Sequence, residues 1–137
     1  MEQVVCVNYL AVLVAGAVYM LLGALWYSPA LFGNLWMAGI GKTREQVQKD
    51  YSAWKLIFAF VGSFLAAYGI ARVLVWSYLD PLWGGFAIAL VGSVCFLIAP
   101  MGINELMEHR SPKLFFINAF YNLIGFIIMG LIIGLWQ

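Results

Sequence analysis

The sequence predicts an all-α integral membrane protein: four transmembrane helices, with a short amphipathic interfacial helix in the first cytoplasmic loop. Three observations carry that expectation. Only 9% of the 137 residues are charged and 65% are hydrophobic, with a mean hydropathy of +0.96, whereas a soluble surface needs roughly 25% charged residues. Four apolar runs reach the roughly 20 residues that a helix needs to cross the hydrocarbon. The period-2 alternation of a membrane β-barrel is absent, and a span in lipid must satisfy its backbone within itself, which leaves the helix.

The predicted spans are 4–27, 53–78, 82–107 and 113–136, within a single domain covering 1–137. The first run has no basic leader and no small-x-small cleavage site, and it is too long for a signal-peptide core, so it is expected to stay as a span. Residues 28–52 form the first cytoplasmic loop. Ser28-Pro29, Asp80-Pro81 and Ser111-Pro112 each place an N-cap residue before proline, which predicts a helix starting at each. Thr43 and Gln46 have capping-box spacing and predict a further start. Pro100 removes a backbone donor inside the third span and predicts a kink there.

Charge sets the expected orientation. Lys42, Arg44, Lys49 and Lys55 flank the first connection, and Arg110 and Lys113 the third, while the other side has only Arg72, which can snorkel. The positive-inside rule then places both termini outside the cytoplasm, in the inner (plasma) membrane. Trp26, Trp36 and Trp54 fall at one boundary and Trp76, Trp83 and Trp136 at the other, as in an aromatic belt. Two cysteines with no CxxC make neither a disulfide framework nor a zinc site; Cys6 and Cys95 fall at different depths.

Two polar groups stand out. Asn104, Glu105, Glu108, His109 and Arg110 close the third span, with Glu105, Glu108 and His109 on one expected helical face. Carboxylate plus imidazole are metal ligands. One such run offers three ligands at most, so an interfacial charge network, with both glutamates paired to Arg110, Lys113 or the loop lysines, is the stronger reading. Neither metal nor cofactor is expected. In the fourth span Asn118, Tyr121 and Asn122 form a polar intramembrane stripe, with Gly125 a turn further along. Such a stripe either lines a path or bonds helices together.

Small residues mark close-contact seams: Ala59, Gly62, Ala66 and Gly69 in the second span, and Gly130 with Gly134 in the fourth. They fit a bundle or a homo-oligomer. "GIGKT" at 39–43 is not a phosphate loop, because that motif would need glycine where Trp36 stands. Net charge and patches give nucleic-acid binding no support.

The stretch 24–37, "ALWYSPALFGNLWM", is an uncharged aromatic elbow built on Trp26, Tyr27, Ser28, Pro29, Phe32 and Trp36. Trp26 and Tyr27 end the first span, and a helix from Pro29 to about Ala38, too short to cross, is expected along the interface. With Gly23 before it, this motif resembles the signature of the domain of unknown function 1761 family of small bacterial membrane proteins. Asn8-Tyr9, Gly41-Lys42-Thr43-x-Glu45, Glu108-x-Arg110-Ser111-x-Lys113-Leu114, Ile117-Asn118 and Tyr121 resemble further patterns of that family. The chain departs from it in seven residues before Asn8, and its second helix carries no matching motif. The resemblance implies a four-helix architecture and no particular activity.

The function classes left are a small oligomeric transporter or channel for a small molecule or ion, and an accessory subunit packed against a larger membrane complex. An intramembrane enzyme is disfavoured by the thin inventory of charged residues. The expected partners are the lipid bilayer and either further copies of the chain or that larger complex.

Overall fold

The computed structural model describes residues 6–137. Every regular element in the described residues is helical: α1 (Tyr9–Trp26), α2 (Gly33–Ile40), α3 (Arg44–Asp50), α4 (Ala53–Ser77), α5 (Pro81–Val91), a π segment (Gly92–Ile98), α6 (Ala99–Met107) and α7 (Pro112–Leu135). Helix α5, the π segment and α6 run on as one span, so four helices of 18, 25, 27 and 24 residues are long and apolar enough to cross a membrane. At 1.5 Å per residue, even the shortest reaches about 27 Å, close to the roughly 30 Å hydrocarbon. The chain is thus a multi-pass helical membrane protein.

Local chemistry sets the boundaries, and it corrects several expectations. Residues 6–8 are not helical and Asn8 caps α1, its side chain accepting from the Ala11 N–H at 3.2 Å; the predicted start at Val4 lies outside the described residues. Asp80 caps α5 through the Trp83 N–H at 3.1 Å, with Pro81 at the first helical position. Thr43 and Gln46 form the expected reciprocal capping box on α3. Ser111 precedes α7 as predicted, but its side chain makes no capping bond.

Ser28-Pro29 does not start a helix. The Ser28 hydroxyl donates back to the Leu25 carbonyl at 2.6 Å, and residues 27–32 form turns. Helix α2 begins only at Gly33, after Phe32. Where the kink is expected, next to Pro100, the helix is widened. Just before the proline, the Ala99 N–H bonds five residues back to the Val94 carbonyl. A proline ring clashes with the carbonyl four residues before it, and a π turn widens the helix to make room.

Helix α7 touches α1, α4 and α5, and α1 also rests on α4. The Asn8 side-chain amide donates to the Trp136 carbonyl at 2.9 Å, so the start of α1 and the end of α7 share one end of the bundle, the termini end. The first and third connections lie at the opposite, basic end. The buried core gathers toward the termini end: Val12 and Ala15 of α1, Ala67, Ile70, Ala71 and Leu74 of α4, Ala89 of α5, and Met129 and Ile133 of α7. Gly85, Gly130 and Gly134 bring the α5 and α7 backbones together there. A methyl at Gly130 would stand 2.7 Å from the Ala89 Cβ, and one at Gly134 would stand 2.9 Å from the Leu82 Cα. In lipid such packing is what holds helices together. Arg72 is satisfied by its neighbours, donating to the Tyr68 hydroxyl at 3.1 and 2.9 Å and lying over the Trp76 ring.

At the basic end the helices part. Residues 53–62 of α4 are exposed on every side, and α6 exposes Ile103, Leu106 and Met107.

Candidate functional site

The polar stripe of α7 meets α1 at the basic half of the bundle. Tyr27 donates its hydroxyl to Asn118 Oδ1 at 2.7 Å, and Tyr19 donates to Asn122 Oδ1 at 2.6 Å. Tyr121 donates to the Tyr19 carbonyl at 3.1 Å, and the Asn122 amide donates to the Asn118 carbonyl at 2.9 Å. The Trp26 indole N–H closes the row on the Ile117 carbonyl at 3.1 Å. Asn118 and Asn122 are one turn apart and so face the same neighbour. Tyr19 of α1 and Tyr27, the residue that caps its end, lie about two turns apart and meet them in register.

Glycines seat the rings. The Tyr121 hydroxyl sits 2.8 Å from where a Gly23 Cβ would be, and the Tyr19 ring occupies the space that a side chain at Gly125 would need. Tyr19 stacks on Tyr121 with centroids 4.9 Å apart, and Tyr27 meets Tyr121 edge-on at 5.4 Å. The elbow completes the cluster, with Phe32 against Trp26 at 4.6 Å and Trp36 edge-on to Tyr27 at 5.2 Å. Sequence reasoning singled out Asn118, Tyr121, Asn122 and Tyr27 but passed over Tyr19. Its signal was present: Tyr19 is the only side chain between Leu10 and Leu25 with a strong hydrogen-bonding group.

Beside this network lies a groove of about 630 Å³, bounded by α1 and α7 on one side and the parted half of α4 on the other. Tyr19, Tyr27, Tyr121 and Asn122 supply its polar wall, and Gly62 and Ser63 of α4 lie opposite. The small-residue seam of α4 is therefore unfilled: side chains added at Gly62 or Gly69 would meet nothing within 4 Å. The Gly130/Gly134 seam of α7, by contrast, is fully used against α5.

The group closing the third span assembles only in part as expected. Helix α6 ends at Met107, and His109 follows it with a left-handed φ of 56°, so it does not share a helical face with Glu105. Arg110 pairs with Glu108 at 2.9 Å, both side chains half exposed. Among the described residues Glu105 makes no ion pair. It is buried, and its Oε2 has no hydrogen-bond partner among the described residues. Asn104 is exposed. Among the described residues no group of three or more His, Cys, Asp or Glu side chains is placed to hold a metal ion.

No curated protein and no solved structure matches the chain. A family model does match, over residues 10–134. That stretch holds the four spans but for Tyr9 and Leu135 at their outer ends, the elbow and the whole tyrosine–asparagine network. The chain belongs to the family described as Protein of unknown function (DUF1761).

Proposed function

We propose that the protein is an oligomeric membrane transporter for small, largely apolar molecules, with the groove beside Tyr19, Tyr27, Tyr121 and Asn122 as its binding site. One observation carries this reading: a groove of about 630 Å³, mostly apolar, with its hydrogen-bonding groups gathered on one wall. Ligand sites in proteins have that character. The packing supports transport in particular, because the bundle is closed by glycine contacts at the termini end and open at the basic end. An ion path is disfavoured, since the polar stripe of α7 already bonds to α1. The basic end faces the cytoplasm of the plasma membrane in this reading, because that end carries the lysines and arginines of the connections.

Native mass spectrometry from mild detergent tests this. The wild type is expected to fly as a homo-oligomer carrying small-molecule adducts, and Gly62→Leu, which fills the groove, is expected to strip them. Wild-type protein with no adducts, or adducts untouched by Gly62→Leu, would overturn the reading.

A second reading, an accessory subunit of a larger membrane complex, is favoured by the all-round exposure of residues 53–62 of α4. A stoichiometric larger protein in the same spectra would support it.

A further inference from the structure

The groove does not stand alone. At the basic end a hollow of about 320 Å³ lies between Lys42, Asp50, Lys55 and Trp36, two lysines to one carboxylate, and it shares Trp36, Tyr51, Leu56 and Ala59 with the groove. Toward the other end, a hollow of about 330 Å³ shares Ala66, Leu97 and Phe126 with it. The three form one trough along α4, floored by the unfilled Gly62 and Gly69. From Lys55 to Ala66 is eleven residues, about 16 Å of helix, which is half of the roughly 30 Å hydrocarbon and so one leaflet.

The mouth of the trough is cationic. Lys42 forms an ion pair with the Asp50 carboxylate, and Lys55 donates to the Asp50 carbonyl at 2.8 Å. An ammonium has three donors, so each keeps two for another acceptor. From Lys42 to Lys55 there are four basic residues (Lys42, Arg44, Lys49, Lys55) against two acidic ones (Glu45, Asp50). Trp36 and Tyr51 stand beside the lysines, and aromatic rings of this kind favour the headgroup level.

We propose that the trough holds an anionic phospholipid drawn from the leaflet at the basic end. Its phosphate lies between Lys42 and Lys55, and a chain runs along Leu56, Ala59, Gly62 and Ala66. The proposal rests on the reading that the groove is a binding site, and it names the class of molecule bound there. Charge argues against a second copy as occupant. A two-fold axis along the membrane normal would bring the partner's cationic mouth against this one, and like charges repel.

The test is lipid addition to delipidated protein in mild detergent, read by native mass spectrometry, with phosphatidylglycerol and phosphatidylcholine of the same chains as probes. Phosphatidylglycerol is expected to bind in preference, by roughly fivefold for each lysine engaged. The double variant Lys42→Gln/Lys55→Gln is expected to lose that preference and still bind phosphatidylcholine. Gly62→Leu is expected to lose both lipids, and Ala59→Leu serves as a second block; circular dichroism and size exclusion check that each is folded.

The outcomes separate the two readings. Equal wild-type binding of the two lipids, abolished by Gly62→Leu, would overturn the anionic assignment and leave the groove standing. Lipid binding that neither blocking variant alters would overturn both. A lipid-free dimer that Gly62→Leu dissociates would give the trough to a second copy and overturn the phospholipid.

Discussion

Tyr19 and Asn122 illustrate how one hydrogen bond holds two spans together. Their 2.6 Å contact joins α1 to α7 in the middle of the network. Interhelical bonds in lipid contribute about 0.6 to 2 kcal/mol, so Tyr19→Phe is expected to lower stability in detergent by that amount. A double-mutant cycle with Asn122→Leu should recover a coupling of the same size; zero coupling would show the bond to be idle. Glycines differ more sharply. Gly130→Ala presses a methyl against the Ala89 Cβ and the α5 backbone, and overpacking of this kind costs about 1 to 3 kcal/mol or more. Gly69→Ala meets nothing and should leave the melting temperature unchanged or raise it, as helix propensity favours alanine. Asp50 makes a milder case. The hydrogen bond and charge of Lys42 hold its carboxyl below the ordinary value of 3.8. Whatever the pair contributes is therefore complete above that value and is lost as pH falls through the lowered one. Protection of the α3 amides, taken relative to their intrinsic exchange rate at each pH, should stay flat from neutral pH down to the ordinary carboxylate range and fall below it. Because the pair is exposed, salt should blunt the effect.

Among the elements, the elbow and the third span differ most from simple helices. Proline at position 29 looks like the organising residue, yet it sits inside the turns of residues 27–32. The residue that permits the turn is Gly33. An added Cβ there would stand 2.6 Å from the Ser28 carbonyl carbon and closer still to the Tyr27 carbonyl oxygen. Gly33→Ala is therefore expected to displace α2 and loosen the Trp36–Tyr27 contact, whereas Pro29→Ala should be mild. Tryptophan fluorescence with a melting curve for each variant checks the order, and a larger effect from Pro29→Ala would reverse this assignment. In the third span, the π segment and Pro100 belong together: the widened turn makes room for the ring that follows it.

At the scale of the molecule, one end is packed and the other is open. The core residues of α4 lie between Ala67 and Leu74, while residues 53–62 have no protein neighbours that bury them. Regions with few buried contacts open first. Hydrogen exchange in detergent should be faster across 53–62 than across 67–74, and bound lipid should slow the former selectively. Uniform exchange along α4 would contradict the two-ended description.

Much of this was readable in the residues alone, for reasons that are local. Hydrophobic run length depends only on neighbouring positions, so four spans were evident from the order of residues. Caps are equally local, which is why Asp80-Pro81 and Thr43–Gln46 behaved as their spacing implied. The elbow motif was enough to recognise the family. Where a local signal had a local competitor, reading failed: Ser28 turned its hydroxyl back to Leu25 instead of capping forward. His109 left the helix before it could join Glu105. Tyr19 was overlooked because a lone tyrosine in an apolar run means little until its partner is known. The two small-residue seams mark the boundary most clearly. Ala59-Gly62-Ala66-Gly69 and Gly130-Gly134 carry the same invitation to close packing. Sequence determined that both faces are smooth; only tertiary structure decided that α5 fills the second and leaves the first open. A missing side chain permits contact, and the contact itself depends on which helix the rest of the bundle brings alongside.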